Sequence, residues 1–265
     1  LAFSQGLFLG RFSIHLSLSE DGRFHWDGCY VQPRRIEAAL RTNQARQVLE
    51  LCCGNGFNTI YLAKNNPQVQ FEAVDLMPGH IGTARRQSRP YQNIHWQVGN
   101  VEQLAYPDAS FDFVFVIESL ILVPHPAQAL AEAYRVLKPG GRIVNFDYYL
   151  KRRFDQLEPR QQTAVLIDQN TCALLGLMYF NDFIAAAQKT GFGVKFIKDM
   201  SHNALPDLER LHRLVDLVFT LPGLTKTIIR ALPEEAVKGI IDWEILLPLF
   251  QANLTGYYCL ELEKL

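Results

Sequence analysis

From Gln47 to about Asp147, short apolar runs rich in β-branched and aromatic residues alternate with stretches whose apolar positions recur at helical spacing. That alternation is the pattern of a parallel sheet with crossover helices. The predicted strands are Val48–Cys52, Val69–Asp75, Ile94–Gly99, Phe111–Ile117 and Arg142–Asp147, and the predicted helices between them are Phe57–Lys64, Gly79–Gln87 and Ala127–Leu137. Lys138-Pro139-Gly140-Gly141 ends the last helix, because proline cannot continue it and glycine takes the turn. After Tyr149 the texture changes to long amphipathic helical stretches. Asn181–Lys189 leads through Thr190-Gly191-Phe192 into a predicted strand, Val194–Lys198, and Tyr257–Leu262 is the last. Between these two strands, residues 201–255 carry Leu, Ile and Val at helical spacing, punctuated by Pro206, Pro222, Pro233 and Pro248, and read as a helical insertion. The expected fold is α/β, with a doubly wound and mostly parallel sheet. Residues 1–46 read as an N-terminal extension, 47–200 as the core, 201–255 as the insertion and 256–265 as the last core strand.

Charge and cysteine usage narrow the function. The chain has 265 residues and a formal net charge of −1, spread along its length, so no global field attracts a phosphate backbone and nucleic acid is not the expected partner. Its five cysteines are odd in number and lack C-x-x-C spacing, which argues against a disulfide framework or a zinc site and favours a reducing, cytoplasmic compartment. No apolar run approaches the roughly 20 residues needed to span a bilayer, so a soluble protein without a transmembrane segment is expected. The histidines give no ligand spacing, and no metal is assigned. The chain starts at Leu1 rather than methionine, which leaves open whether residues precede it. A homo-oligomer is likewise left open.

The strongest local signal is Val48-Leu49-Glu50-Leu51-Cys52-Cys53-Gly54-Asn55-Gly56-Phe57-Asn58-Thr59, a buried strand, a tight turn of small residues, then a helix. Glycines in such a turn let the backbone approach a ligand at the carboxyl edge of the sheet. A dinucleotide fingerprint would place a third glycine where this chain has Thr59, which weakens a nicotinamide-oxidoreductase reading. The second strand ends in Asp75-Leu76-Met77. A carboxylate there can accept hydrogen bonds from both hydroxyls of a ribose, and the two apolar side chains can cover an adenine face. Asn100 and Val101 close the third strand. The Asn100 side-chain oxygen can accept from an adenine amino group, and the next backbone N–H can reach a ring nitrogen. A lone aspartate at a strand end is commonly only a turn residue, but three such signals at successive strand ends point to a cofactor.

These stretches resemble the cofactor motifs of the Rossmann-like S-adenosylmethionine-dependent methyltransferases. The likeness runs from Val48 to Asp147 and includes Ser110-Phe111-Asp112-Phe113-Val114 and Arg135-Val136-Leu137-Lys138-Pro139-Gly140-Gly141. It implies S-adenosylmethionine as cofactor, an antiparallel last strand at Tyr257–Leu262, and cofactor contacts from the turn (Glu50, Cys52, Gly54, Gly56), from Asp75, Leu76 and Met77, from Asn100 and Val101, and from Ile117. Two positions depart from the pattern: Cys52 replaces the usual first glycine of the turn, and Asn100 the usual aspartate. Upstream, His25-Trp26-Asp27-Gly28-Cys29-Tyr30 lies where related enzymes carry a His-x-Gly-aromatic element covering the methionine end of the cofactor, and the likeness makes Tyr30 that contact.

A sulfonium methyl is already electrophilic, so an enzyme that transfers it must hold a nucleophile in line and exclude water. Phe115-Val116-Ile117-Glu118-Ser119-Leu120 places Glu118 at the carboxyl edge of the fourth strand, where reacting groups sit. This Ile-Glu stretch is similar to that of sterol and other terpenoid C-methyltransferases and of some natural-product O-methyltransferases, which makes Glu118 the candidate catalytic residue. Its bland alternative is a helix-capping or rim carboxylate. In those families a histidine often follows four residues after the glutamate, where this chain has Leu122. The Asn/Asp-Pro-Pro-Tyr stretch of DNA and protein-glutamine amino-methyltransferases is absent at this strand end. The insertion reads as a lid over a small, lipophilic substrate, or else as a packing or dimer surface. The expectation is methyl transfer to a small hydrophobic metabolite, such as C-methylation of an isoprenoid-type alkene. O- or N-methylation of a natural product is the runner-up, and a nicotinamide oxidoreductase or a non-catalytic cofactor-binding protein the distant alternatives.

Overall fold

The computed structural model describes residues 15–171, 177–220, 230–232 and 234–265. The first fourteen residues, Cys172, Pro222 and Pro233 lie outside the described residues. The chain divides into two compact units: residues 1–31, 148–180 and 199–257 in the first, and 32–147, 181–198 and 258–265 in the second.

The second unit carries the sheet. Its strands are β1 (Gln47–Leu51), β2 (Gln70–Asp75), β3 (Ile94–Val98), β4 (Phe111–Ile117), β5 (Leu137–Leu150), β6 (Phe192–Asp199) and β7 (Thr255–Lys264), in the order β3-β2-β1-β4-β5-β7-β6. The pairs from β3 to β5 are parallel, and the last strands close the sheet antiparallel. Helices α1 (Val31–Thr42), α2 (Phe57–Asn65), α3 (Pro78–Gln87), α4 (Pro126–Val136) and α6 (Phe180–Thr190) accompany these strands in the chain. Val48, Leu49, Leu51, Phe113, Val114, Phe115 and Val116 are all buried. This is expected of parallel strands covered on both faces, and it explains why β1 and β4 read as unbroken apolar runs. The strand order reverses at β1, which lies between β2 and β4. A crevice beyond the carboxyl ends of β1 and β4 is where this architecture seats its ligands.

Every predicted strand is present, with one informative difference. The sequence places the fifth strand at Arg142–Asp147, whereas β5 is extended from Leu137 onward. Phe111 pairs with Leu137 and Phe113 with Arg142, so two steps along β4 face five along β5. The Lys138–Gly141 stretch is therefore a bulge within a longer strand, with Gly140 at φ 74°. Pro78 and Pro126 open α3 and α4 at a position where the missing N–H costs nothing.

The first unit is helical. Within it, α8 (Glu234–Gln251) packs against both α7 (Ser201–Phe219) and α5 (Pro159–Thr171). The Arg210 guanidinium stacks on Phe24 at 4.4 Å and on Trp26 at 4.6 Å, and Asp207 accepts a 2.9 Å hydrogen bond from the Ser17 backbone N–H. These contacts tie the segment before Tyr30 to α7. No helix among the described residues is long and apolar enough to cross a membrane.

Candidate active site

The carboxyl edge of β1, β2, β4 and β5 assembles the site within the second unit. Leu51 is level with Val74 and Val116, and Ile117 with Phe146. Extending that register by one residue puts Cys52 beside Asp75 and Ile117, and Glu118 beside Asp147. Four buried acids stand at this edge, Glu50, Asp75, Glu118 and Asp147, and three of them, Asp75, Asp147 and Glu50, act on Cys52. Asp75, Asp147 and Glu50, after burial itself, push the Cys52 thiol up, so it stays protonated.

The turn after β1 is held from below and from the side. Cys52 lies at φ 54°, Gly54 at 54° and Gly56 at 84°, three left-handed residues in five positions. At Gly56 an added Cβ would meet the Trp96 ring at 2.4 Å and the Ala84 Cβ at 2.9 Å, so close packing as well as backbone conformation demands glycine. Trp96 and Ala84 join Cys53, Ala73 and Ile81 in a buried cluster. Cys52 has no such excuse. An L-residue in this conformation costs about 1–2 kcal/mol relative to one in its preferred region. Cys52→Gly should therefore stabilise the chain by up to about 1 kcal/mol in urea unfolding, after the extra backbone entropy of glycine is subtracted. A loss of stability of similar size would mean that thiol packing outweighs the strain.

Glu50 points across to the first turn of α2. Its carboxylate accepts from Asn58 Nδ2 at 3.2 Å, from the Thr59 backbone N–H at 3.2 Å and, in a very short contact, from the Thr59 hydroxyl. It thereby caps donors that the helix start leaves open. Burial pushes the Glu50 carboxyl up to about 7, against the lowering effect of Thr59 and Asn58. Because the folded value lies above the ordinary 4.5, folding favours the protonated acid. That contribution is fully present below about pH 4.5 and is lost as the pH rises through about 7. The stability of wild type relative to Glu50→Gln should accordingly fall by an amount on the order of 3 kcal/mol between pH 4 and 8. Parallel profiles for the two proteins would contradict it.

Asp75 is engaged as fully as Glu50. Its Oδ2 accepts from the Gly54 N–H at 2.8 Å and its Oδ1 from the Met77 N–H at 2.9 Å, while His80 Nδ1 lies 3.1 Å from Oδ1. The residue that sequence places on a ribose also binds both halves of the crevice wall together. Leu76 and Met77 are 66 % and 55 % exposed, an unusual condition for two adjacent large apolar side chains, and one that suits a flat ligand face. Asn100 forms an Asx turn, its Oδ1 accepting from the Glu102 N–H at 2.9 Å. Glu102 in turn accepts from the His125 N–H at 2.6 Å, tying this loop to the start of α4. Val101 and Ile117 are buried.

Glu118 follows β4 at φ 50°, almost buried, with its N–H donating to the Phe146 carbonyl at 2.7 Å. Ile117, Leu120 and Ile121, which flank it in the chain, are buried as well. Asp147 accepts from the Ile121 N–H at 3.3 Å and so steadies the loop that follows Glu118. Sequence reasoning used Asp147 only as a strand end and missed His80 altogether. The available signals were an acid at a fourth strand end and a histidine in the first turn of the helix after Asp75. Tyr30 belongs to the first unit, at the end of the short 3-10 turn Gly28–Tyr30.

A doubly wound sheet with a glycine turn, a carboxylate and an Asx turn at three successive strand ends defines an α/β domain for a nucleoside cofactor. Residues 49–145 match the family described as methyltransferase domain. The demethylmenaquinone methyltransferase of Tropheryma whipplei (strain Twist) is 31% identical over 144 residues, 54% of this chain and 56% of that protein. The 24-methylenesterol C-methyltransferase 2 of Arabidopsis thaliana is 24% identical over 192 residues, 71% of this chain and 53% of that protein. The chain thus spans about half the length of these curated relatives. The geranyl diphosphate C-methyltransferase of Streptomyces coelicolor A3(2), solved with Mg2+, geranyl diphosphate and S-adenosyl-L-homocysteine, shares the fold, with a TM-score of 0.70 and 13% identity over 98% of this chain and 92% of that one.

Proposed function

We propose that this chain transfers a methyl group from S-adenosylmethionine to a small, hydrophobic metabolite, by C-methylation of an isoprenoid-type alkene. The observation that carries the cofactor half is the pair of buried acids near Cys52, Asp75 and Asp147, with Glu50 behind them: a pyrophosphate would be repelled by them, whereas a sulfonium bearing an ammonium group would be drawn in. The cradle fits such a group. Gly54 and Gly56 leave the backbone open, Asp75 holds the ribose, Leu76 and Met77 cover the adenine, and Asn100 with the Val101 N–H reads its edge. Glu50 keeps the turn against α2. The cofactor, when bound, supplies an electrophilic methyl on a positively charged sulfur.

The acceptor half rests on Glu118. Set among apolar neighbours beside the crevice, its carboxylate orients the acceptor, stabilises positive charge that develops on an attacked alkene, and takes the proton that is then released. The names of the sterol and geranyl diphosphate C-methyltransferases favour the same chemistry. A phenol, alcohol or amine acceptor would use the same carboxylate as base, which keeps O- or N-methylation as the second reading. Tyr30 as a cover for the methionine end, the 201–255 stretch as a lid and a cytoplasmic role in secondary metabolism complete the proposal. The test is turnover with methyl-labelled cofactor against panels of prenyl diphosphates, sterols, quinones, phenols and amines, with calorimetry of S-adenosylhomocysteine and NADH alongside. Label in an alkene supports the first reading and label in a phenol or amine the second. Binding of NADH alone would overturn both.

A further inference from the structure

The first unit holds a group of side chains that the proposed reaction does not use. His212 and Asp216 stand one turn apart on α7 and therefore share a face. Glu244, on α8, comes to the same place. One ligand atom from each of the three lies within 4.8 Å of the others. The contacts are those of an ion pair in distance only. His212 Nε2 is 3.7 Å from Asp216 Oδ2, too far for a hydrogen bond. His212 Nδ1 is 3.3 Å from Glu244 Oε2, yet neither atom has a hydrogen-bond partner among the described residues, although both atoms are shielded from solvent. Two polar atoms in that state cost stability unless a proton or a cation between them engages both.

A divalent transition metal does so. Tetrahedral bonds of about 2.0–2.1 Å from zinc to nitrogen and oxygen place two ligands about 3.3 Å apart, the spacing found for Nδ1 and Oε2. Asp216 is 54% exposed, so its carboxylate has room to rotate towards the same centre. One imidazole and two carboxylates with an open fourth position suit Zn2+ better than Mg2+, which prefers an all-oxygen octahedral shell. We propose that His212, Asp216 and Glu244 form a Zn2+ site that clasps α7 to α8. Sequence alone assigns no metal, because a histidine and an aspartate one turn apart are unremarkable until the fold brings Glu244 beside them.

The experiment uses the full chain, freed of metal with a chelator. Calorimetry with Zn2+ is expected to show one equivalent bound, with affinity weakened about 30-fold or more by His212→Ala and by the isosteric Glu244→Gln. His202→Ala, an exposed histidine elsewhere on α7, should change nothing. Cobalt substitution should give the visible bands of a tetrahedral nitrogen and oxygen set, without the thiolate charge-transfer band that binding at any of the five cysteines would add. Zn2+ should also raise the melting temperature of wild type and not of Glu244→Gln, which keeps the side-chain shape if His212→Ala fails to fold. An adventitious ion only, shown by fractional binding, by sensitivity to His202→Ala or by a thiolate band, would overturn the site. So would unchanged affinity in Glu244→Gln.

Discussion

Glu118→Gln is expected to lower turnover about 100-fold or more on the identified substrate, with affinity for S-adenosylhomocysteine almost unchanged. The substitution keeps the side-chain shape and the hydrogen-bonding reach and removes the charge. Glu118 sits at a left-handed φ of 50°, and glutamine, also an L-residue with an unbranched Cβ, meets the same backbone strain there, so the comparison isolates the charge. A glycine would adopt that φ without cost, whereas a glutamate holds its carboxylate there against a strain of order 1–3 kcal/mol, a condition that clusters at functional sites. If Glu118 stabilises a transient cation or removes the proton that follows, the neutral amide can do neither. Steady-state kinetics with saturating cofactor separate the outcomes. A fall in kcat with unchanged cofactor Kd supports the reading, and a mutant with full turnover would reduce Glu118 to a rim carboxylate and leave the C-methylation proposal without its residue.

Much of the site was legible because the sheet is parallel. Strands buried on both faces appear as apolar runs, and the first polar residue after each run marks a strand end at the ligand edge. Glu118 stands out that way at the end of β4, whereas Asn100 follows the alternating, half-exposed β3 and is marked only by its place at a strand end. What was illegible depends on contacts far apart in the chain. Nothing in the sequence pairs Asp147 with the Ile121 N–H, or brings Trp96 over Gly56 so that no Cβ fits there. The Lys138–Gly141 bulge read as a turn because its proline and glycines carry the same local signal in either setting. Residues 148–180 gave no local sign that they share a compact unit with residues 199–257. Cys52 is the instructive case. In the sequence it is only a departure from the motif's glycine, and the backbone shows that this cysteine adopts the left-handed conformation that glycine favours.

Asp75→Asn should weaken cofactor binding by more than about tenfold, although the two side chains differ by one atom. Both carboxylate oxygens of Asp75 accept from backbone N–H groups, Oδ2 from Gly54 and Oδ1 from Met77. An asparagine has one acceptor oxygen and one NH2 group, so either orientation sets a donor against a donor. The conflict leaves a buried N–H unmet at a cost of about 1–3 kcal/mol and loosens either the glycine turn or the start of α3. A ribose bound at the same carboxylate would lose a charge-assisted acceptor in addition. Asp75→Ala leaves both N–H groups without the acceptor, so it should bind cofactor as poorly and lose at least as much stability as the asparagine variant. Urea unfolding and calorimetry with S-adenosylhomocysteine, run on both variants, separate the two roles. If stability falls and affinity does not, Asp75 serves the turn alone and the ribose is held elsewhere.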